Sequence, residues 1–419
     1  MKMEKRKGWR TYENGLVLMM FIVFGLVFFE RLNILYLFPY MAPDLGMNNT
    51  QIGLTVGVLG IAWAISTMVF SSLSDFIGSK KGMLVVFILI FSVATFLGGL
   101  VGSLGSLLLV RAFMGAAEGP VVPLIQSIVA AESTPRRRGF NMGLIQSASN
   151  LFGSALAPVI AIGLATAISW RSAFYVTAIP AFVMALVLMK FLRKPVIHPE
   201  AVGPEENSKP TRKEFFQLLK RRNIWLGMIL SVGNIMFLLS IATYLPNLLI
   251  DEAKYSDGAS SAALGLFGLL IFIGQAAAPA ISDRIGRKPT LILFSFVAIF
   301  LPIAIILFYQ NYAVLLVCLI VLALGNGYQP LVVAIIPAES VPRKFAASSI
   351  AILLLVAELI GGTLGPVLSG VLADNFGLSA SMWIPIGAAI AVFLCSFGVR
   401  ETAPVKVQHA VPPHPDVTV

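Results

Sequence analysis

Glu132-Ser133-Thr134-Pro135-Arg136 recurs as Glu339-Ser340-Val341-Pro342-Arg343, 207 residues further along the chain. The same offset carries Pro123 onto Pro330 and Pro39 onto Pro246. Asp75 with Gly78 recurs as Asp283 with Gly286, one residue beyond that register. Chance explains one matching pentapeptide; it explains poorly three landmarks in one register with a fourth one residue off it. The chain is read as a duplication.

What is duplicated follows from the residues between the landmarks. Of 419 residues, 58% are hydrophobic and 12% charged, too apolar for an ordinary soluble domain. A helix crossing the hydrocarbon core needs about 20 mostly apolar residues. Twelve such stretches are read, at 14–40, 51–73, 82–102, 106–131, 140–166, 171–192, 223–250, 261–281, 289–309, 312–337, 345–372 and 379–399. They are too long and continuous for barrel strands, and in lipid a helix satisfies its own backbone. No stretch resembles a cleavable signal peptide, so the first span is expected to be retained. Six spans per half is an even number, so both halves enter from the same side and the repeat is parallel. The expected fold is an all-α membrane protein of two parallel six-helix bundles, with a substrate site near the midplane.

Lys and Arg set the orientation. They fill the N-terminus (Lys2, Lys5, Arg6, Lys7, Arg10) and the loops after spans 2, 4, 6, 8 and 10, whereas the alternate loops hold little beyond Arg171 and Lys254. Both termini are therefore expected on the cytoplasmic side of a cell (inner) membrane. The net charge of +10 is then a topology signal, and nucleic acid is not an expected partner. The expected domains are a cytoplasmic N-terminus (1–13), two bundles (14–192 and 223–400), a linker (193–222) with a short surface helix near Thr211–Lys220, and a disordered tail (401–419). Cys318 and Cys395 lie in apolar runs and read as buried thiols, and His409 and His414 as residues of a polar tail. No metal or cofactor is expected, nor an enzyme, since no nucleophile, phosphate loop or metal cluster is present.

These residues resemble the major facilitator superfamily. Asp283-Arg284-Ile285-Gly286-Arg287-Lys288 is similar to its signature between helices 8 and 9; the first-half copy, Ser71 to Lys81, is degraded, with Phe76 and Ser79 where arginines are usual. A narrower resemblance is to the anion:cation symporter branch, which carries sugar acids and other organic acids. It rests on Glu30-Arg31-Leu32-Asn33, on Asp44-Leu45-Gly46-Met47 with Thr50-Gln51-Ile52-Gly53, and on Arg111, Gly115, Glu118 and Gly119. The resemblance implies transport of an organic anion. Some relatives carry a basic residue in helix 7; none stands there here, which argues against a dicarboxylate gripped at both ends.

Five ionisable side chains sit deep within the spans: Glu30, Arg31, Arg111, Glu118 and Glu358. A charge at the bilayer centre costs about 2.5–3.5 kcal/mol or more, so each requires a reason. At about 1.5 Å per residue, Arg31 and Arg111 reach similar depths, and Glu118, two turns beyond Arg111, shares its face. The arginines offer permanent positive forks suited to a carboxylate. All three histidines lie outside the spans, so a proton carrier must be a carboxylate: Glu118 first, then Glu30, with Glu358 open. A structural reading, ion pairs between helices 1 and 4, is compatible with the same residues. Tyr36, Trp63, Asn150, Asn234, Tyr244 and Asn326 are further candidates for the substrate-binding set, and ordinary helix packing is an equal reading of each.

Asp75 and Asp283, with Glu132, Arg136, Glu339, Arg343, Arg284 and Arg287, form the expected cytoplasmic gate. Mid-helix prolines permit bending. The expectation is a monomeric secondary transporter in the lipid bilayer that couples protons to uptake of a small organic anion. The alternative is an efflux antiporter for drugs or metabolites, which the departure of Gly153-Ser154-Ala155-Leu156-Ala157-Pro158 from the drug-antiporter signature weakens.

Overall fold

The computed structural model contains twelve helices long and apolar enough to cross a membrane. They are α1 (Tyr12–Leu45), α2 (Asn49–Phe70), α3 (Lys80–Gly98), α4 (Leu104–Glu132), α5 (Gly139–Ala167), α6 (Trp170–Phe191), α7 (Arg222–Glu252), α8 (Asp257–Ile285), α9 (Arg287–Phe308), α10 (Tyr312–Glu339), α11 (Ser348–Phe376) and α12 (Leu378–Ser396). The structure describes residues 12–77, 79–134, 137–193, 220–342, 345–403 and 406, and no strand occurs among them. The linker with its expected surface helix and most of the tail lie outside the described residues. Large apolar side chains such as Leu109, Ile168 and Phe376 are more than two-thirds exposed (74%, 71% and 76%). In water that surface would be a liability; against acyl chains it costs nothing. The chain is a multi-pass membrane protein.

By packing, the chain divides into two compact units. The first comprises Met1–Val202, Ala242–Leu269 and Pro366–Ser381, so it joins α1–α6 to the last third of α7, the first part of α8, the end of α11 and the start of α12. The second comprises Gly203–Ile241, Leu270–Gly365 and Met382–Val419.

Lipid tails are as apolar as leucine, so helices in a bilayer associate through close packing rather than the hydrophobic effect. In the first unit, a Cβ on Gly115 or Gly119 of α4 would stand 2.4 Å from the Leu59 carbonyl oxygen or 2.6 Å from that of Trp63 on α2. On α5, a Cβ on Gly153 would lie 2.8 Å from the Phe28 carbonyl oxygen of α1. In the second unit, Gly361 of α11 presses on the Val232 carbonyl oxygen of α7 in the same way, at 2.4 Å. These α1–α5 and α7–α11 contacts fall at nearly the repeat offset.

Local helix geometry also repeats. α5 carries a π-helical segment at Ser149–Leu156, and α11 carries one at Ala357–Gly362. Such segments insert an extra residue into the turn and occur frequently at functional sites. α10 tightens to a 3-10 segment over Ala323–Tyr328. No simple composition signal marks these departures.

The end of the second unit that carries the basic loops is tied together by Arg287. Its guanidinium donates to Glu339 (2.9 and 3.3 Å), to the Ser282 hydroxyl (2.6 Å) and to Asp283. Glu401, which composition assigns to a disordered tail, is instead packed onto the start of α9. Its carboxylate accepts the backbone N–H groups of Arg287 (2.8 Å), Lys288 (3.1 Å), Thr402 and Ala403, and Thr402 donates to Glu339 (2.6 Å). The loop turns at Gly286 with φ 112°, where a side chain would be strained and would also meet Glu401. In effect Glu401 serves as an N-cap supplied from a distant part of the chain.

Burial raises the proton affinity of Glu401, but the N–H donors of Ala403, Arg287, Lys288 and Thr402 outweigh it and hold the carboxyl below its ordinary value of 4.5. A depressed carboxylate stabilises the folded state above its unfolded value and loses that contribution as pH falls through the folded value. Glu401→Gln is therefore expected to melt below the wild type at neutral pH, with the gap closing below pH 4.5; thermal melts in detergent across that range check this.

In the first unit, Asp374 of α11 caps α2. Its two oxygens accept the backbone N–H groups of Asn49 (2.9 Å) and Thr50 (2.8 Å), the Asn49 amide (3.0 Å) and the Thr50 hydroxyl (2.6 Å). The Tyr244 hydroxyl lies 2.8 Å from the carbonyls of both Asn49 and Pro366. Tyr40 donates to Asp257 beside them. Asp374→Ala should cost about 0.5–2 kcal/mol, the range of a lost N-cap. It should also make the start of α2 more accessible to a thiol reagent at a cysteine placed at Asn48.

Candidate functional site

Five of the predicted residues converge in the first unit. Glu30 and Arg31 are successive residues of α1, and Arg111 and Glu118 stand two turns apart on α4; all four are buried. An Arg111 guanidinium nitrogen donates to the Arg31 carbonyl oxygen at 3.4 Å, and the other lies 3.5 Å from the Met114 sulfur. The Arg31 guanidinium sits 5.5 Å from the ring centroid of Trp63, a cation–π distance. Glu118 interacts electrostatically with both Glu30 and Arg111. Glu30 is 1% exposed; its Oε2 is 3.0 Å from the Thr177 hydroxyl, and its Oε1 has no hydrogen-bond partner among the described residues.

Small residues set the neighbouring helices close, Gly115 and Gly119 fixing α4 against α2 and Gly153 fixing α5 against α1, and Arg111 of α4 reaches the Arg31 carbonyl of α1. Arg111 is 2% exposed, and its Nε is without a hydrogen-bond partner among the described residues. Asn33, one turn from Glu30 and fully buried, likewise leaves both amide atoms unpartnered. A buried donor without a partner costs about 1–3 kcal/mol, more when charged. Such groups are suited to a bound anion.

The remaining candidates fall elsewhere. Tyr36 is buried in the first unit, but its hydroxyl donates to the Gly153 carbonyl (3.3 Å), a helix-packing contact. Tyr244 is spent similarly on Asn49 and Pro366. Asn150 lies half-buried at the start of the π segment of α5. In the second unit, Asn234 of α7 and Asn326 of α10 are fully buried, and Asn326 has both amide atoms unpartnered among the described residues. Tyr328 is buried beside Asn234. Glu358 is buried in the π segment of α11. Among the described residues no group of His, Cys, Asp and Glu is arranged to hold a metal ion.

At the gate, the structure makes Arg287 the partner of both Asp283 and Glu339, whereas Arg284 is exposed. Arg136, Arg343 and the side chain of Asp75 lie outside the described residues. In the first half, Glu132 is half-buried at the end of α4. Sequence reasoning passed over Glu13, which accepts from Asn141 (2.9 Å) and Thr134 and thereby ties the start of α1 to the α4–α5 loop. It also passed over Thr177, Asp374 and Glu401. Glu13 stands in the first turn of a helix and Asp374 near the end of one, a weak signal; no sequence pattern names the partner of either.

The sequence profile of the Major Facilitator Superfamily matches residues 20–361 and 280–415. The hexuronate transporter of Bacillus subtilis is 24% identical over 403 residues, covering 93% of this chain and 94% of that one. The probable 4-methylmuconolactone transporter of Cupriavidus pinatubonensis is 26% identical over 402 residues, covering 93% and 89%. Among solved structures, a bacterial homologue of the human lysosomal transporter Spinster superposes with a TM-score of 0.79 at 17% identity, covering 94% and 98%. Twelve apolar helices, the repeated landmarks and a profile match across most of the length have one reading: the chain belongs to the Major Facilitator Superfamily and is a transporter, not an enzyme.

Proposed function

We propose that this transporter is a proton-coupled symporter of a small organic anion, a sugar acid or similar carboxylate, working by alternating access. The observation that carries the reading is the buried cluster of Arg31 and Arg111 with Glu30 and Glu118 on α1 and α4. Permanent cations in a low-dielectric site need an anion, and a carboxylate matches the guanidinium fork bidentately. Acids beside them change charge by binding a proton, so occupation of an arginine by substrate alters the proton affinity of its neighbour. Glu118 and Glu30 are the proton-carrying candidates, and Glu358 is a third in the second unit. The relatives named for hexuronate and 4-methylmuconolactone support an organic substrate of this class. The buried amides of Asn234 and Asn326 suit substrate hydroxyl groups.

In this reading the protein sits in the cell membrane as a monomer with both termini cytoplasmic. The network of Asp283, Arg287 and Glu339 is part of a cytoplasmic gate, and a linker, 193–222, joins two six-helix bundles, 14–192 and 223–400, the second followed by the tail. Reconstitution into proteoliposomes tests the proposal. Uptake of D-glucuronate and other sugar acids should be driven by an inward proton gradient and collapse with a protonophore. Uptake indifferent to that gradient would overturn symport, and substrate-driven efflux of cationic drugs would favour the antiporter instead.

A further inference from the structure

The Thr177 hydroxyl has two neighbours and one proton. It lies 2.6 Å from the Ala173 carbonyl oxygen, one turn earlier on α6, and 3.0 Å from Glu30 Oε2 on α1. The carbonyl carries no hydrogen, so the short contact to Ala173 consumes the threonine proton in the back-bonded arrangement common for threonine within helices. The hydroxyl then faces Glu30 with a lone pair. A carboxylate oxygen would be repelled there; a carboxylic acid O–H donates. The unpartnered Oε1 and the 1% exposure of Glu30 fit a neutral acid, since a buried carboxylate would demand several donors.

We propose that Thr177 is a positioning residue that accepts the proton of Glu30 and so holds this carboxyl in its acid form, setting the pH at which coupling occurs. This rests on the symport reading for its consequence in transport, but the protonation state itself does not. The charged groups around Glu30 are few. Arg31 adjoins it on α1; from α4, Glu118 interacts with it electrostatically and Arg111 donates to the Arg31 carbonyl. α5 carries no titratable side chain over 139–167. The titratable groups of α6 are engaged elsewhere: Arg171 with Asp44, Tyr175 with the Gly99 carbonyl, and Lys190 with the Phe191 ring. Among the described residues, the charges near Glu30 are thus Arg31, Arg111 and Glu118.

Two measurements on the full-length protein test this. In infrared difference spectra of purified protein taken across pH, a protonated-carboxyl band should be present in the wild type and missing in Glu30→Gln. It should move to higher frequency in Thr177→Val, which keeps the shape but cannot accept, and return in Thr177→Ser. In proteoliposomes, the pH midpoint of proton-driven D-glucuronate uptake should fall by about half to one pH unit in Thr177→Val, the worth of one hydrogen bond. Thr177→Ser should restore it. A band unaffected by Glu30→Gln, or a midpoint that stays put or rises in Thr177→Val, overturns the proposal. If uptake ignores the proton gradient while the bands behave as described, symport fails and the assignment of the Glu30 proton stands.

Discussion

Replacing Arg111 with alanine is expected to lower uptake of the organic anion by at least about 100-fold, roughly 3 kcal/mol, with the protein still folded. The guanidinium is 2% exposed; among the described residues it donates to the Arg31 carbonyl and the Met114 sulfur, and its Nε has no hydrogen-bond partner, so donor capacity is left over for a ligand. Truncation removes the charge that the anion would neutralise and leaves Glu118 without its cationic neighbour. Arg111→Lys separates charge from geometry. Lysine keeps the positive charge but not the planar fork, so a bidentate carboxylate is held less well and uptake should recover only in part. Initial-rate uptake in proteoliposomes, normalised to folded protein by size-exclusion chromatography, reads both. Anion uptake that persists in Arg111→Ala would remove this arginine from the substrate site.

Gly361→Leu is expected to prevent assembly of the second unit. A Cβ at Gly361 would stand 2.4 Å from the Val232 carbonyl oxygen and 3.2 Å from the Met236 backbone nitrogen, and backbone cannot rotate aside as a side chain can. The helices must separate, forfeiting the packing that holds α7 to α11 in lipid. The cost lies at or above the top of the about 1–3 kcal/mol range for overpacking. Gly387→Leu is the matched control, because that glycine is exposed on α12 with nothing within 4 Å of an added Cβ. Fluorescence-detected size-exclusion chromatography of the detergent-solubilised variants should show an aggregated or absent peak for the first and a wild-type peak for the second. Gly153→Leu, on the related α1–α5 contact, should behave as Gly361→Leu does.

The two glycines also show how far one dimension reaches. The run Gly361-Gly362 with Gly365 permits close helix approach, and nothing within it names the partner backbone, Val232. Arg31 and Arg111 could be placed at similar depth because the rise per residue converts sequence distance into height within a bilayer of known thickness. That they share one cluster depends on the rotation of α1 against α4, which packing sets. The deep charges stood out because an ionisable group in hydrocarbon is too costly to be incidental. Thr177, Asp374 and Glu401 did not stand out, because a threonine in a helix or an acid near a helix end is ordinary; their significance lies wholly in what they touch.

The sequence by itself determined twelve helices, from apolar length, and the duplication, from landmarks that recur 207 residues apart, while the motif Asp283–Lys288 carried the resemblance to the family. Those are one-dimensional quantities acting against a planar solvent. Only the tertiary structure decided that Arg287 is the hub joining Asp283 to Glu339, that the tail begins by capping α9 through Glu401, and that the ends of α7, α8 and α11 pack with the first half. It also decided that π-helical turns interrupt α5 and α11. Apart from the π turns and the local Asp283–Arg287 pair, each of these is a contact between residues far apart in the chain, chosen by the mutual rotation of helices. The lipid solvent imposes length and hydrophobicity on a helix and leaves that rotation to its neighbours.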